Sequence, residues 1–428
     1  MFNQSGLSLD QAPPITVVFK FFFMGALFGI LAGISLFFYQ ATIFDASKTA
    51  AITFTHLLTL GVMLNFMFAA LFQMLPVIAG IKITSPTRTA NLLLSLFTIG
   101  IIALLLGFNF PTVSWFFPAA ILLLGFSIFI SMLPILIKLL TLKHHTFSSR
   151  GMSLSLFSLF VVVLLAFYLL LTLMGIIDGS YYLQIKTAHY SFGLFGWVSL
   201  LILSISFQVI EMFYVTPPYP KRISHDFPII LFVLLLSSTL ITFIFTDMWI
   251  TTHLLIVILL SIYAAITLKR LTQRKRPLTD ATVWFWRLGL SSLLLSILSL
   301  LLQNFTEISI LKPLSYIFFT SFALSIVFAM FYKIIPFLTW FHLNSQGYFT
   351  APMMHEIIHP KTAKKHLYIH LATIVTFVLS LFINIFIFLA GVLMIVSFLW
   401  MTYQIIHANK LYKETQKNGE KFDMGSIN

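Results

Sequence analysis

The chain has 428 residues, 59% of them hydrophobic and 9% charged, whereas a soluble domain carries roughly 25% charged residues. That composition excludes an ordinary soluble globule and predicts an all-α polytopic membrane protein. The formal net charge of +13 would suit a nucleic-acid ligand, but the cations lie in short loops between apolar runs, so the expected partner is the lipid bilayer and no nucleic acid.

Cysteine is absent. This removes disulfides, iron–sulfur clusters, thiolate-ligated haem and copper or zinc sites that need cysteine sulfur.

Apolar runs fall near 15–41, 52–79, 89–108, 112–140, 152–175, 187–213, 227–246, 249–268, 282–303, 313–341, 366–383 and 385–406. About 20 apolar residues at 1.5 Å each cross a bilayer, so about twelve transmembrane helices are predicted, in one transmembrane domain over 1–428. The polar start Met1–Pro13 leads into a segment longer than a signal peptide, so no cleavable signal is expected.

Counting loops by the helices they join, the even loops and the C-terminal end carry nineteen lysines and arginines. The odd loops carry only Lys48, Lys186 and Lys312. Positive charge stays inside, which places both termini in the cytoplasm of a multi-pass protein of the bacterial cytoplasmic (inner) membrane. Trp115 and Trp249 then mark the outer interface, and Trp284, Trp286 and Trp340 the inner one. Residues 409–428 form a polar cytoplasmic tail that is expected to fray.

The most organised stretch is Thr55–Gly80, with His56 near one end and Phe72-Gln73-Met74-Leu75-Pro76 near the other. The second feature returns as Phe207-Gln208-Val209-Ile210-Glu211 and as Tyr332-Lys333-Ile334-Ile335-Pro336. The first returns as Ala188-His189-Tyr190-Ser191-Phe192-Gly193. These motifs fall on the second, sixth and tenth helices, which predicts three pseudo-repeated groups of four, about 15–140, 152–268 and 282–406.

Ionisable groups inside a bilayer are costly and mark function or a paired partner. His56, His189 and His253 all fall in the first turns of helices that run from outside to inside. Neutral imidazole suits haem iron or copper. His56 and His189 are therefore candidate cofactor ligands and His253 a weaker metal candidate; a hydrogen bond to a neighbouring helix would equally explain each. Gly61, Gly193 and Gly196 would allow a flat ring or a backbone close by. Glu211 and Lys333 are expected to be paired, either as a structural ion pair or, with Gln73 and Gln208, along a proton or ion path; Arg287 is expected to snorkel.

His355-Glu356-Ile357-Ile358-His359 matches the H-E-x-x-H zinc-protease pattern, but it lies in a short loop that stops at Pro360. His366 and His370, at i and i+4, are expected on a solvated cytoplasmic face. The sixteen methionines form no stripe, and no phosphate-binding loop is present.

Twelve helices in three fours, cytoplasmic termini and His56 near the outer end of helix 2 resemble haem–copper oxidase subunit I and the NnrS-type haem and copper membrane proteins. The resemblance implies an oxidase subunit I-like fold in which His56 occupies the place of a low-spin haem ligand. The chain departs from that family elsewhere. Leu231–Ile244 contains no histidine, and helix 10 offers Ser315, Tyr316 and Thr320 where the oxidases have histidines. The oxygen-reducing binuclear centre therefore cannot be assembled as in that family, which argues against a proton-pumping terminal oxidase.

The expectation is a haem b protein, with copper as a second candidate, bound through His56 and His189. Its work would be electron transfer, nitric-oxide handling or metallocentre assembly, and any enzymatic activity would be that of an oxidoreductase. Respiratory or metallocentre-assembly proteins are the expected partners. The alternatives are a secondary transporter using Glu211 and Lys333, or a cofactor-free accessory subunit of a respiratory complex.

Overall fold

The computed structural model describes residues 13–245, 249–275 and 280–421. Its long helices are α1 (Ile15–Tyr39), α2 (Thr49–Ala79), α3 (Pro86–Asn109), α4 (Phe116–Leu140), α5 (Phe147–Leu173) and α6 (Tyr182–Tyr214). They continue with α7 (Lys221–Ile244), α8 (Trp249–Thr272), α9 (Ala281–Leu302), α10 (Leu311–Ser345), α11 (Pro360–Ser380) and α12 (Ile385–Asn418). Helix is the form such apolar runs take in hydrocarbon, because every backbone N–H and C=O is then satisfied within the segment.

Among the described residues, 11 helices are long and apolar enough to cross a membrane. The exception is α11, which begins six residues before the expected apolar run and starts with Lys361, Lys364, Lys365 and His366.

The described residues pack as two compact units. One holds those in Gln73–Pro277 and Leu293–Ile297; the other holds those in Pro13–Phe72, Leu278–Ser292 and Leu298–Asn428. One border falls between α8 and α9, and the others fall within α2 and α9.

In the first unit α3 pairs with α4, and α5 lies against α6 and α7. Close approach depends on small residues. A Cβ on Gly100 would meet Leu124 at 2.8 Å, and one on Gly196 would meet Ser158 at 2.8 Å. The buried serines of α5 hydrogen-bond to their own helix: Ser153 to Ser149 O at 2.9 Å, Ser155 to Met152 O at 3.0 Å and Ser158 to Leu154 O at 2.9 Å. These three hydroxyls are thereby satisfied without a partner from another helix.

In the second unit α1 runs along α12. Gly29 and Gly33 form its contact with α12, while Gly25 faces Phe66 of α2; at Gly33 an added Cβ would stand 2.9 Å from Gly391 O. Backbones meet there directly, as in small-xxx-small helix pairs. Phe22, Phe66 and Phe331 fill the adjacent interior, with ring centroids 5.1–6.3 Å apart.

Part of the expected tail is ordered. α12 continues to Asn418 and docks on the loop after α10: Tyr348 OH donates to Gln416 O at 3.0 Å, and Gln346 Nε2 donates to Tyr412 OH at 2.7 Å.

The helices that carry the recurring motifs are the most enclosed. In the most apolar eighteen residues of α2, α6 and α10, 83%, 72% and 72% are buried, and no other span exceeds 50%.

Replacing Gly33 with leucine forces apart the α1–α12 backbones. Overpacking of this kind costs roughly 2 kcal/mol. Gly33→Leu is expected to lower the melting temperature of the detergent-purified protein, while leucine at the open Gly80, with no side chain or backbone atom within 4 Å of an added Cβ, acts only through backbone strain at φ +64°.

Candidate functional site

His56 is the eighth residue of α2 and half-buried; its Nδ1–H donates to Ile52 O at 2.8 Å. His189 is the eighth residue of α6, also half-buried, and its Nδ1–H donates to Val162 O on α5 at 3.1 Å. A carbonyl oxygen only accepts, so in both imidazoles Nδ1 carries the hydrogen and Nε2 the lone pair. That is the tautomer in which a histidine ligates through Nε2 while its other nitrogen is oriented by a carbonyl.

Each histidine is followed by π-helix, at Leu57–Leu64 in α2 and at Phe192–Ser199 in α6. Short π-bulges inside α-helices occur frequently at functional sites. The two stretches also end alike. Asn65, fully buried, donates to Gly61 O at 2.8 Å and to Leu60 O at 3.4 Å. Ser199 Oγ donates to Leu194 O at 2.8 Å. In each case a buried polar side chain holds a carbonyl of the widened turn.

The glycines divide by role. The place of a Cβ on Gly61 is filled by Phe28 of α1, at 2.8 Å, and that on Gly196 by Ser158 of α5. These two serve helix contact. Gly193 is open, with only Val162 Cγ2 at 4.0 Å.

His253 is different. It is buried, with Nε2 against Ser191 Oγ at 2.9 Å and Nδ1 against Ser238 Oγ at 3.3 Å, so it ties α8 to α6 and α7 through both ring nitrogens. Among the described residues no group of three or more histidine, aspartate or glutamate side chains is placed to hold a metal ion.

The charged residues have local partners. Lys333 Nζ pairs with Asp280 Oδ2 at 2.6 Å. Asp280 also caps α9, accepting from Thr282 N at 2.9 Å and Val283 N at 3.2 Å. Burial alone would raise its carboxyl, but the Lys333 ammonium and these donors hold it below the usual carboxylate range. Asp280 escapes a search of the spans because it stands just before one.

Glu211 Oε1 accepts from Tyr219 N at 2.7 Å. Beside it Tyr219 OH donates to Thr267 Oγ1 at 3.1 Å and Tyr263 OH to Ser206 Oγ at 3.0 Å, and burial pushes the Tyr219 phenol well above its ordinary value. Gln208 is half-buried; Gln73 is buried, and neither of its amide atoms has a hydrogen-bond partner among the described residues. Arg287 lies over the Trp284 ring at 4.8 Å.

The H-E-x-x-H pattern is divided between two elements. Glu356 Oε2 accepts from Met353 N at 2.7 Å in the short helix Met354–Ile357, and His359 Nδ1 accepts from Lys361 N at 3.1 Å as the N-cap of α11. Both residues cap helices, and the two histidines do not share a helix face.

His366 and His370, expected on a solvated face, are instead buried, at 0% and 4% exposure. Nε2 of His366 meets Ser397 Oγ at 2.6 Å, and Nε2 of His370 meets Ser325 Oγ at 2.9 Å. Phe328 packs against both rings, with centroids at 4.8 and 4.9 Å. Their i, i+4 spacing was the available signal, but the neighbouring lysines masked it.

Asp280→Asn is expected to lower thermal stability at neutral pH. The native carboxyl is depressed, so its contribution is present above about pH 4 and lost as pH falls through the lowered value. The unfolding-temperature profile of the asparagine variant should lack that acid limb. Comparison with known proteins gives no family model and no curated relative that matches this chain.

Proposed function

We propose that this chain is a haem-binding integral membrane protein on an oxidase subunit I-like plan, three groups of four helices with both termini in the cytoplasm of a bacterial inner membrane. His56, in one unit, and His189, in the other, are its candidate haem ligands, each of which would bind through Nε2. The observation that carries this reading is the repeated arrangement on α2 and α6: a half-buried imidazole with Nδ1 fixed by a carbonyl, followed by π-helix. The enclosure of α2, α6 and α10 supports the threefold plan.

The donor set fits haem iron, which takes neutral imidazole as an axial ligand. Bound haem would supply one-electron chemistry, suited to electron transfer, nitric-oxide handling or metallocentre assembly. The protein's part is orientation. Ile52 O and Val162 O hold the two rings in one tautomer, and Gly193 leaves open space beside the second. Copper, another imidazole-binding metal, is the second candidate. Glu211 and Lys333 are each held by a local partner, so a secondary transporter gains no mobile charge from them.

The test is an absorption spectrum and haem extraction on protein purified from haem-supplied cells. Wild type is expected to show a Soret band. His56→Ala and His189→Ala each lose most of the bound haem while eluting as the same detergent-solubilised species, whereas His253→Phe retains it. Wild-type protein without haem, or haem unaffected by either alanine variant, refutes the assignment.

A further inference from the structure

One end of the helix pair α7–α8 gathers positive charge that the surrounding protein leaves uncompensated. Lys221 and Arg222 open α7, Lys269 and Arg270 stand in the last turn of α8, and Lys275 follows shortly after it. The two ends are fastened to each other. Tyr219, just before α7, is buried, and its hydroxyl donates to Thr267 Oγ1 of α8 at 3.1 Å. Lys275 N donates to Val215 O at 3.0 Å. Val215 stands at φ +53°, a left-handed conformation that a β-branched residue adopts only where its surroundings impose it. Lys221 and Lys269 each lie two residues beyond the Tyr219–Thr267 contact, so the cations of both helices are held at one place.

The acidic residues at this end of α6 and α7 are already engaged. Glu211 Oε1 accepts from Tyr219 N at 2.7 Å, and Asp226 Oδ1 accepts from His225 Nδ1 at 2.6 Å. Arg270 Nη1 donates to Gln273 Oε1 at 2.9 Å. Lys221, Arg222, Lys269 and Lys275 are exposed, and none of the four is in an ion pair among the described residues. The first turn of α7 holds no acidic residue. Cations there oppose the helix dipole, so Lys221 and Arg222 add nothing to the stability of the helix itself.

An exposed apolar ridge leads along each helix to one of these cations. On α8, Ile258, Ile262 and Lys269 share one side; on α7, Arg222, Val233 and Leu236 do, given 3.6 residues per turn. From Ile258 to Lys269, and from Arg222 to Val233, is about 16 Å of helix, close to the ~15 Å depth of one hydrocarbon leaflet. An apolar strip one leaflet deep with a cation at its watery end matches the two parts of a phospholipid, acyl chain and phosphodiester.

We propose that the joined ends of α7 and α8 bind a phospholipid of net negative headgroup from the leaflet they face. Arg222 and Lys269 hold the phosphodiester, the guanidinium by its fork of N–H donors and the ammonium as a point charge. Lys221 and Lys275 add attraction from beside them, and the acyl chains lie along the two ridges. Clusters of lysine and arginine at the ends of spans recognise anionic lipid in this way.

The test is native mass spectrometry of the full chain in detergent, titrated with phosphatidylglycerol or with phosphatidylcholine of the same acyl chains. Wild type is expected to bind phosphatidylglycerol at least about tenfold more tightly. Arg222→Gln combined with Lys269→Gln should remove most of that preference, since one cation near an anionic surface is worth about fivefold. Each single variant should lose about fivefold, and these decide the matter if the double variant does not fold. Lys413→Gln combined with Lys417→Gln, an equal loss of charge on α12, should change nothing. Glycerol phosphate at the concentration of the lipid carries the anion without the chains and should not displace it. Equal affinity for the two lipids, an undiminished preference in the Arg222 and Lys269 variants, an equal loss in the α12 control, or displacement by glycerol phosphate each overturns the site. No haem enters the assay, so its outcome is separate from that of the spectrum.

Discussion

Hydrocarbon offers no hydrogen bonds, and that constraint orders the placement of most polar atoms in this protein. The serines of α5 turn back on their own carbonyls. His253 is bracketed by two hydroxyls on two other helices. Lys333 draws on Asp280, a residue outside the spans, and Glu211 finds a backbone N–H beyond the end of its own helix. Satisfied in these ways, polar groups in a membrane interior cost far less than they would alone.

The same constraint decides what the residues revealed in advance. Long apolar runs announce helices whatever their packing, so the long helices were legible, and 11 of them are apolar enough to cross a membrane. Boundaries shifted where charge extended a helix rather than ending it. Lys361, Lys364 and Lys365 lie in the first turns of α11, and Lys410, Lys413 and Lys417 in the last turns of α12. For the same reason His366 and His370 read as solvated: two lysines precede them, and only the packing shows that the lysines and the histidines occupy different faces. The partner of Lys333 was hidden because a capping aspartate counts as a loop residue until the helices are assembled.

The π-helical stretches were not legible at all. Their residues, Leu57–Leu64 and Phe192–Ser199, are as apolar as their surroundings. What distinguishes them is a change of backbone partner, with Asn65 and Ser199 bonding carbonyls that the wider turn exposes. Histidine at the eighth position of both helices was readable, but its shared tautomer depends on where Ile52 and Val162 place their oxygens. Composition thus pointed to the two imidazoles, and coordinates supplied the reason to treat them as a matched pair.

A π turn also takes up more residues than an α turn, so side chains on either side of such a stretch lose their common phase. No single helical wheel can be drawn through α2 from His56 to Gln73, nor through α6 from His189 to Glu211. Two residues that look coaligned in a projection point in different directions, and the stagger is written into eight consecutive residues of each helix. Removing one residue from either stretch would rewind it toward ordinary geometry and swing the whole following half-helix around its axis.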